Sequence, residues 1–469
     1  MPGVNVNITS VPVPTSNPTS TGKWFCTQLL ERGSTTKPIV CTSMAEFKAQ
    51  CGARVSYSVM WDSAETFFQE GGSELIMARV VGATPVAAKY ELKDSEAHVS
   101  LIVTANSVGE WGNNLSVAVT VTESGYILTI EENDVEVEKS PELTTQLGAV
   151  AWAENSAYVT IAVGAGTKTP SEVTAKALSG GTYDSSHITT ASYEHALANF
   201  SYEMGCGQVS APGITTTGVG EAILKHVEVN NRVAMLDLTN TSTAATLISA
   251  VSSLRSAVGA RRGSAWAPWA IIPGLAGGAN RVVPYSAVQA GIIARNDGAT
   301  TQPQVNEPSA AENGQPRYAI GLTAEWNRAT REELNEHSVN VARVMPSGVI
   351  QTYGYRTLVK PESEPAWEEF SAARLFMYVV NQCEAIMSEF LFKDIDPKKQ
   401  LFNRLNGRLT AFMTSLGNQL YNNPGEAVNT GPAVNTPTTI AKKEVCADVA
   451  VLPSPTSEIA VLNVSAQGV

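Results

Sequence analysis

Histidine and cysteine are the side chains most often recruited for metal binding and nucleophilic chemistry, and their spacing here supports neither. The histidines are His98, His187, His195, His226 and His337. No two stand three or four residues apart, the step that sets two imidazoles on one helix face. The cysteines, at 26, 41, 51, 206, 383 and 446, form no CxxC and pair with no histidine at ligand spacing. They are expected to be buried, reduced thiols of a protein made in a reducing compartment. The run from Gly274 to Asn280 is glycine-rich but lacks the Lys-Ser/Thr of a phosphate-binding loop, and it reads as a turn. From Glu131 to Glu142 six carboxylates stand against one lysine. They fall on an expected exposed hairpin, which does not set two carboxylates across a sugar. No catalytic residue, metal ligand or cofactor is expected.

One serine needs separate treatment. Cys41-Thr42-Ser43-Met44-Ala45 resembles the serine motif of subtilisins, Gly-Thr-Ser-Met-Ala, with cysteine in place of glycine. A triad also requires a positioned His and Asp. The histidines lack the His-Gly-Thr setting and no Asp-Ser/Thr-Gly motif occurs, whereas Ser43 stands where a helix N-cap is needed. The remaining charged feature is basic: Lys393, Lys398, Lys399, Arg404 and Arg408 cluster against Asp394 and Asp396. A solvated helix face and a contact for an acidic partner both fit this pattern.

The elements that must carry these residues come from a chain of 469 residues, 43% hydrophobic and 16% charged, with formal net charge −12. This allows two to four domains and at least one sizeable core. Scattered Lys and Arg on an acidic chain argue against a nucleic-acid partner. No run of 18 apolar residues exists to insert in a membrane, and the N-terminus lacks the basic and apolar regions of a signal peptide. Val4, Val6 and Ile8 alternate with polar residues ahead of Pro12, Pro14 and Pro18, which predicts an extended β-arm without a nearby partner. Ile459, Val461 and Val464 predict a second arm at the other end.

Between the arms, Thr42–Phe47 opens a helix, a second helix ends at Gly71-Gly72, and 75–81 reads as a buried strand. Residues 86–182 read as an inserted all-β module with strands at Val99–Thr104, Leu115–Thr122, Tyr126–Ile130 and Tyr158–Val163 and no helical period. Beyond Gly180-Gly181 the pattern is α/β. Strands at Val233–Leu238 and Ala267–Ile272 alternate with helices at Thr243–Val258 and Ser286–Ala294, which implies a largely parallel sheet. Residues 300–315 read as a loop. Two helices follow, one with an apolar stripe of Trp367, Phe370, Met377, Val380, Met387, Phe390 and Leu391. The other carries Leu401, Leu405, Leu409, Phe412, Leu416 and Leu420, and strand-like Glu444–Val451 comes after it.

The stretch from Trp269 to Leu358 adds a family likeness. Pro268-Trp269, Val283-Pro284-Tyr285-Ser286, Gly291-Ile292-Ile293-Ala294-Arg295-Asn296-Asp297, Leu334-Asn335, Ser338-Val339-Asn340 and Tyr353-Gly354-Tyr355-Arg356-Thr357-Leu358 occur in this order. The series resembles the core of contractile bacteriophage tail sheath proteins. Pro2-Gly3-Val4, Phe67-Phe68 with Gly71-Gly72, Ala105–Asn113 and Ala211-Pro212-Gly213 look like further motifs of that family. The chain has Tyr285 where the family often has a second Pro, and Ala372-Ala373-Arg374-Leu375 where an Arg-Arg pair is common.

The resemblance implies an α/β core of subtilisin-like topology without catalysis, an outward-facing inserted all-β domain and an α+β C-terminal domain facing a tube. Its expected segments are an arm at 1–20, core at 21–85 and 183–340, insertion at 86–182, C-terminal domain at 341–455 and an arm at 456–469. It implies a tail subunit made in the bacterial host cytoplasm, self-assembling as stacked hexameric rings into a helical homopolymer. Expected partners are the tail tube, baseplate and tail terminator proteins, with Lys393, Lys398, Lys399, Arg404 and Arg408 as a possible contact to an acidic tube. The sheath of a bacteriocin-like particle or injection system is the nearest alternative. A serine hydrolase with an accessory β-domain is the alternative of a different class.

Overall fold

The computed structural model describes residues 21–299, 303–360, 363–396 and 398–457. The predicted arm residues Val4, Val6, Ile8, Ile459, Val461 and Val464 lie outside them. The chain divides into two compact units: one takes the start of the chain to Phe25, Glu65–Leu75 and Ser201 onward, the other Cys26–Ala64 and Ile76–Phe200.

The first unit is built on a parallel sheet. Strands Gln208–Ser210, Val233–Asp237, Gly263–Ala267 and Val339–Val344 pair in that order, all parallel, and Ile350–Thr352 adds antiparallel. Val233–Asp237 is buried at every residue, as expected of a strand covered on both faces. Helices Thr217–Val229 and Ala244–Leu254 make the first two crossovers, and Tyr285–Gly298 and Arg328–Glu336 lie in the third. The helix Tyr285–Gly298 is buried along almost its whole length, the polar Ser286, Gln289 and Asp297 included, so it has no single buried stripe. Gly291 lets it approach the chain: a Cβ there would sit 2.4 Å from Glu70 Cβ and 2.9 Å from Phe67 O.

The expected single strand Ala267–Ile272 is two strands of different sheets. Gly263–Ala267 ends in the parallel sheet, and Ala270–Ile272 pairs antiparallel with Arg281–Val283 and Gly321–Leu322. Pro268 lies between them and has no N–H to continue a ladder.

Helices Phe370–Ser388 and Gln400–Ser415 enclose a second apolar cluster of Leu375, Tyr378, Leu401, Leu405, Leu409 and Met413, joined by Val305 from the preceding loop. The stripe expected on the first helix is only partly inward, since Val380 is 43% and Leu391 63% exposed. Arg374 is instead buried there, paired with Asp297. The expected strand Glu444–Val451 reduces to Asp448–Val449, paired antiparallel with Val428–Asn429. The backbone at Cys446 bonds the side chain of Asn435 on both its N–H and its C=O, at 2.9 and 2.8 Å, which removes it from any ladder.

In the second unit, Val173–Ala177, Leu115–Val121, Tyr126–Glu132 and Val135–Lys139 form a four-stranded antiparallel sheet. Lys89–Lys93, Val99–Ala105 and Val159–Val163 form a three-stranded one. Leu115, Val117, Val119, Tyr126, Leu128 and Ile130 alternate inward onto a core shared with Leu101, Val103 and Trp111. Asn133 and Asp134 turn the acidic hairpin with φ of 52° and 64°, the left-handed pair of a tight hairpin turn.

The 86–182 segment is not all-β. Helix Gln146–Ala153 is capped by Thr145, whose side chain accepts from Gly148 N, and buries Ala149 and Ala153. With only eight residues, and with Leu, Val, Trp and Ala spread around it, the helix has no polar face to betray its period.

Candidate interaction surface

The residues between the two C-terminal helices are placed by a helix cap. Asp396 accepts from Gln400 N at 3.0 Å and from Leu401 N at 2.9 Å. Those backbone bonds hold its carboxyl below the usual carboxylate range. Lys399, just before the helix, takes a left-handed φ of 58°. Asp396 is therefore committed to a helix N-terminus, where a carboxylate is favoured.

Of the five basic residues, the structure brings Lys393, Arg404 and Arg408 together. With Glu389, Phe390 and Gly407 they line a surface groove of about 410 Å³. Arg408 pairs with Glu389 at 3.0 Å, and the Lys393 ammonium lies 4.7 Å from the centre of the Phe390 ring. Lys399 lines a separate hollow with Phe402, Asn403 and Asn406. Lys398 lines neither, so the cluster is split. What sequence reasoning missed is apolar: Leu391 was assigned to the buried stripe, yet Leu391 and Phe392 project at the junction, Phe392 fully exposed with φ 58°. Their place after Phe390, where the helix has already ended, was the available signal.

The chemical candidates occupy structural positions. Ser43 Oγ accepts from Glu46 N at 3.2 Å as a helix N-cap, and the Glu46 carboxylate returns to Thr42 N at 2.7 Å. His187 Nδ1 lies 2.6 Å from Asp184 Oδ1, and Ser186 Oγ approaches the same nitrogen at 3.2 Å. A triad needs serine on Nε2 and aspartate on Nδ1, so this cluster is not one. His187, with the Thr84 N–H, holds Asp184 down to about 2. His226 is half-buried, with Nε2 2.9 Å from Arg232 Nη1, and desolvation followed by that cation pushes it down to about 3.

In the hairpin, Glu132 accepts from Trp111 Nε1 at 2.6 Å and Glu138 from Ala157 N at 2.7 Å. Among the described residues no group of three His, Cys, Asp or Glu side chains could hold a metal ion. All six cysteines are described and none is in a disulfide. Cys26, Cys41, Cys51 and Cys206 are buried, while Cys383 and Cys446 are half-buried. No described helix is long and apolar enough to cross a membrane.

The pair Val428–Asn429 and Asp448–Val449 is a two-stranded sheet, so among the described residues each strand keeps one edge without a ladder.

No family sequence model matches the chain, and no curated protein matches it by sequence. Solved structures do match in fold. The sheath tail protein of Desulfitobacterium hafniense is 14% identical, with 92% of this chain and 94% of that one covered and a TM-score of 0.59. The sheath tail protein of Listeria innocua is 12% identical over 88% and 89%, with a TM-score of 0.61. The contracted sheath of an extracellular contractile injection system is 15% identical over 99% and 97%, with a TM-score of 0.57. The chain has the fold of contractile tail sheath proteins.

Proposed function

We propose that this protein is the subunit of a contractile sheath, a non-catalytic chain that polymerises with copies of itself around an inner tube and shortens to drive that tube forward. The observation that carries the reading is the extent of the likeness. It covers nearly the whole chain, both units included, against sheaths of injection systems as well as tail sheath proteins. The sequence series from Trp269 to Leu358 points the same way independently. A phage tail and an injection system use the same subunit mechanics, and the proposal covers both, as stacked hexameric rings docked on a baseplate.

The arms at 1–20 and 456–469 would link copies by adding strands to a neighbour's sheet, and the outer edge of Asp448–Val449, with Asp448 exposed, is a suitable acceptor. At about 0.5–1.5 kcal/mol per backbone hydrogen bond, one short strand contributes a few kcal/mol. Repeated through a lattice, such links hold neighbours together while their discs rotate. Contraction is then a change of packing from a metastable lattice to one that buries more surface.

The basic junction would face an acidic tube. Lys393, Arg404 and Arg408 line a groove with Phe390, and the exposed Leu391 and Phe392 follow Phe390 in the chain, so the junction offers both charged and apolar groups. Electron microscopy of the purified protein tests the reading: striated tubes are expected, and a monomer that never polymerises would defeat it. Lys393→Glu with Arg404→Glu should abolish tube-templated assembly at low salt. Unchanged assembly would remove the electrostatic contact from the proposal.

A further inference from the structure

The first and last described stretches of the chain are tied to two helices, Tyr285–Gly298 and Phe370–Ser388, that the Asp297–Arg374 ion pair joins. Thr21 Oγ1 donates to Asp297 Oδ2 at 2.6 Å, and that carboxylate oxygen also takes Arg374 Nη2 of helix Phe370–Ser388. All three residues are buried, Arg374 completely. Gln208 Nε2 adds a bond to Thr21 O at 2.8 Å, and Gly22 is packed so closely that a Cβ would lie 3.0 Å from Ala294 Cα. At the other end, Thr456 N donates at 3.2 Å to Oε1 of Glu369, the N-cap residue of helix Phe370–Ser388. Glu369 Oε2 is fixed by Ser371 Oγ at 3.0 Å. Two residues earlier, Ser454 is tied by its N–H to Gln419 O at 3.0 Å and by its C=O to Asn306 Nδ2 at 2.9 Å.

We propose that Asp297, at the end of helix Tyr285–Gly298, and the start of helix Phe370–Ser388 together form a clasp that holds both described chain ends and couples them, with Glu369, Asp297 and Arg374 as positioning residues. Its purpose rests on the sheath reading. If the segments beyond Thr21 and Thr456 link neighbouring copies, a pull on one is delivered through Asp297 and the five-residue step from Arg374 back to Glu369, about one and a half helical turns, to the other. Asp297 is what makes the coupling direct, because one oxygen serves both the start of the chain and the helix. A displaced Thr21 leaves that oxygen to Arg374 alone, so the pair re-seats and moves the turn that carries Glu369, the acceptor of Thr456.

Amide hydrogen exchange on the full-length chain tests the clasp. Thr21→Val removes one hydroxyl and keeps the shape, and Glu369→Ala removes the acceptor of Thr456. Each should speed exchange at its own end and also at the opposite one, by roughly two- to tenfold, the scale of one lost hydrogen bond. Glu369→Gln, which retains an acceptor oxygen, should restore the slow rate at both ends. Faster exchange confined to the mutated end in both variants would overturn the coupling. Coupled exchange in a chain that never polymerises would sink the sheath reading and leave the clasp standing. Tubes built from a chain with uncoupled ends would do the reverse.

Discussion

Glu70 is the acceptor on which a loop and a helix converge, and removing it should have a large local effect. It is the last residue of helix Met60–Glu70 and has no exposed surface. Its Oε2 accepts from Arg317 N at 2.7 Å and Arg295 Nη1 at 3.2 Å. Oε1 accepts from Tyr318 N at 2.8 Å and, more weakly, from Ala319 N at 3.4 Å. Glu70→Ala strands two well-formed backbone donors, each at a cost of about 1–3 kcal/mol. Arg295 keeps Glu70 O at 2.7 Å and Gln315 O at 2.8 Å, so the full penalty for an abandoned buried charge does not apply. The loss comes to about 2–6 kcal/mol, or at least roughly 30-fold in the opening equilibrium of the 315–319 segment. Amide exchange at Arg317 and Tyr318 reads this directly. Glu70→Gln keeps one acceptor and turns the other into a donor facing a donor, so it should lose about half that free energy. A change under about threefold for Glu70→Ala would refute the reasoning, as would a glutamine variant indistinguishable from the native chain.

Two further outcomes follow from buried groups. Burial pushes the Asp237 carboxyl up to about 6, opposed by hydrogen bonds from Ser286 and Gly213. Because the folded value lies above the unfolded one, its contribution is complete below about pH 4 and is lost as pH rises through 6. Melting temperature should therefore fall across that window, and Asp237→Asn should flatten the fall; an unchanged slope in the variant would assign it to other groups. Leu409 is fully buried between the two C-terminal helices, so Leu409→Ala should cost about 2–5 kcal/mol in urea unfolding monitored in that region. A loss under about 1 kcal/mol would mean the helices do not share a packed core.

The parallel sheet was legible because its strands are short apolar runs alternating with helical ones, and the Ser43 cap because its spacing to Glu46 is local. Legibility failed where a single residue redirected the chain. Pro268 split one apolar run between two sheets, and the Asn435 side chain took the place of a strand partner at Cys446. Helix Gln146–Ala153 was invisible because eight mostly apolar residues carry no period. At the candidate surface the cluster of five cations was visible. That Arg408 is half neutralised by Glu389 and Lys398 stands apart was not, because both depend on helix rotation about the junction. The clasp was illegible for another reason: Asp297 and Arg374 lie 77 residues apart, and nothing local marks either as one of a pair.

The helix Tyr285–Gly298 fills the place where an open parallel sheet would otherwise take a ligand. In open parallel sheets, ligands bind beyond the carboxyl ends of the strands, where helix N-termini offer unsatisfied N–H groups. Here that position is filled by the protein itself. Asp237, at the end of its strand, accepts from Ser286 N at 3.0 Å, Ser286 Oγ at 2.7 Å and Gly213 N at 3.1 Å. Trp266 stacks on Tyr285 and meets Tyr355 and Phe370 edge-on, which packs the same region with rings. At its other end the helix presents Asp297 to Arg374 and Thr21. Fourteen residues at 1.5 Å each make a rod of about 20 Å, bonded to the sheet at one end and to the clasp at the other. Close-packed interiors transmit displacement rather than absorb it. A helix buried on nearly all sides is therefore a rigid link between the Asp297–Arg374 pair and the sheet, and substitutions that hollow it, such as Ile292→Ala, should loosen that link before they unfold the sheet.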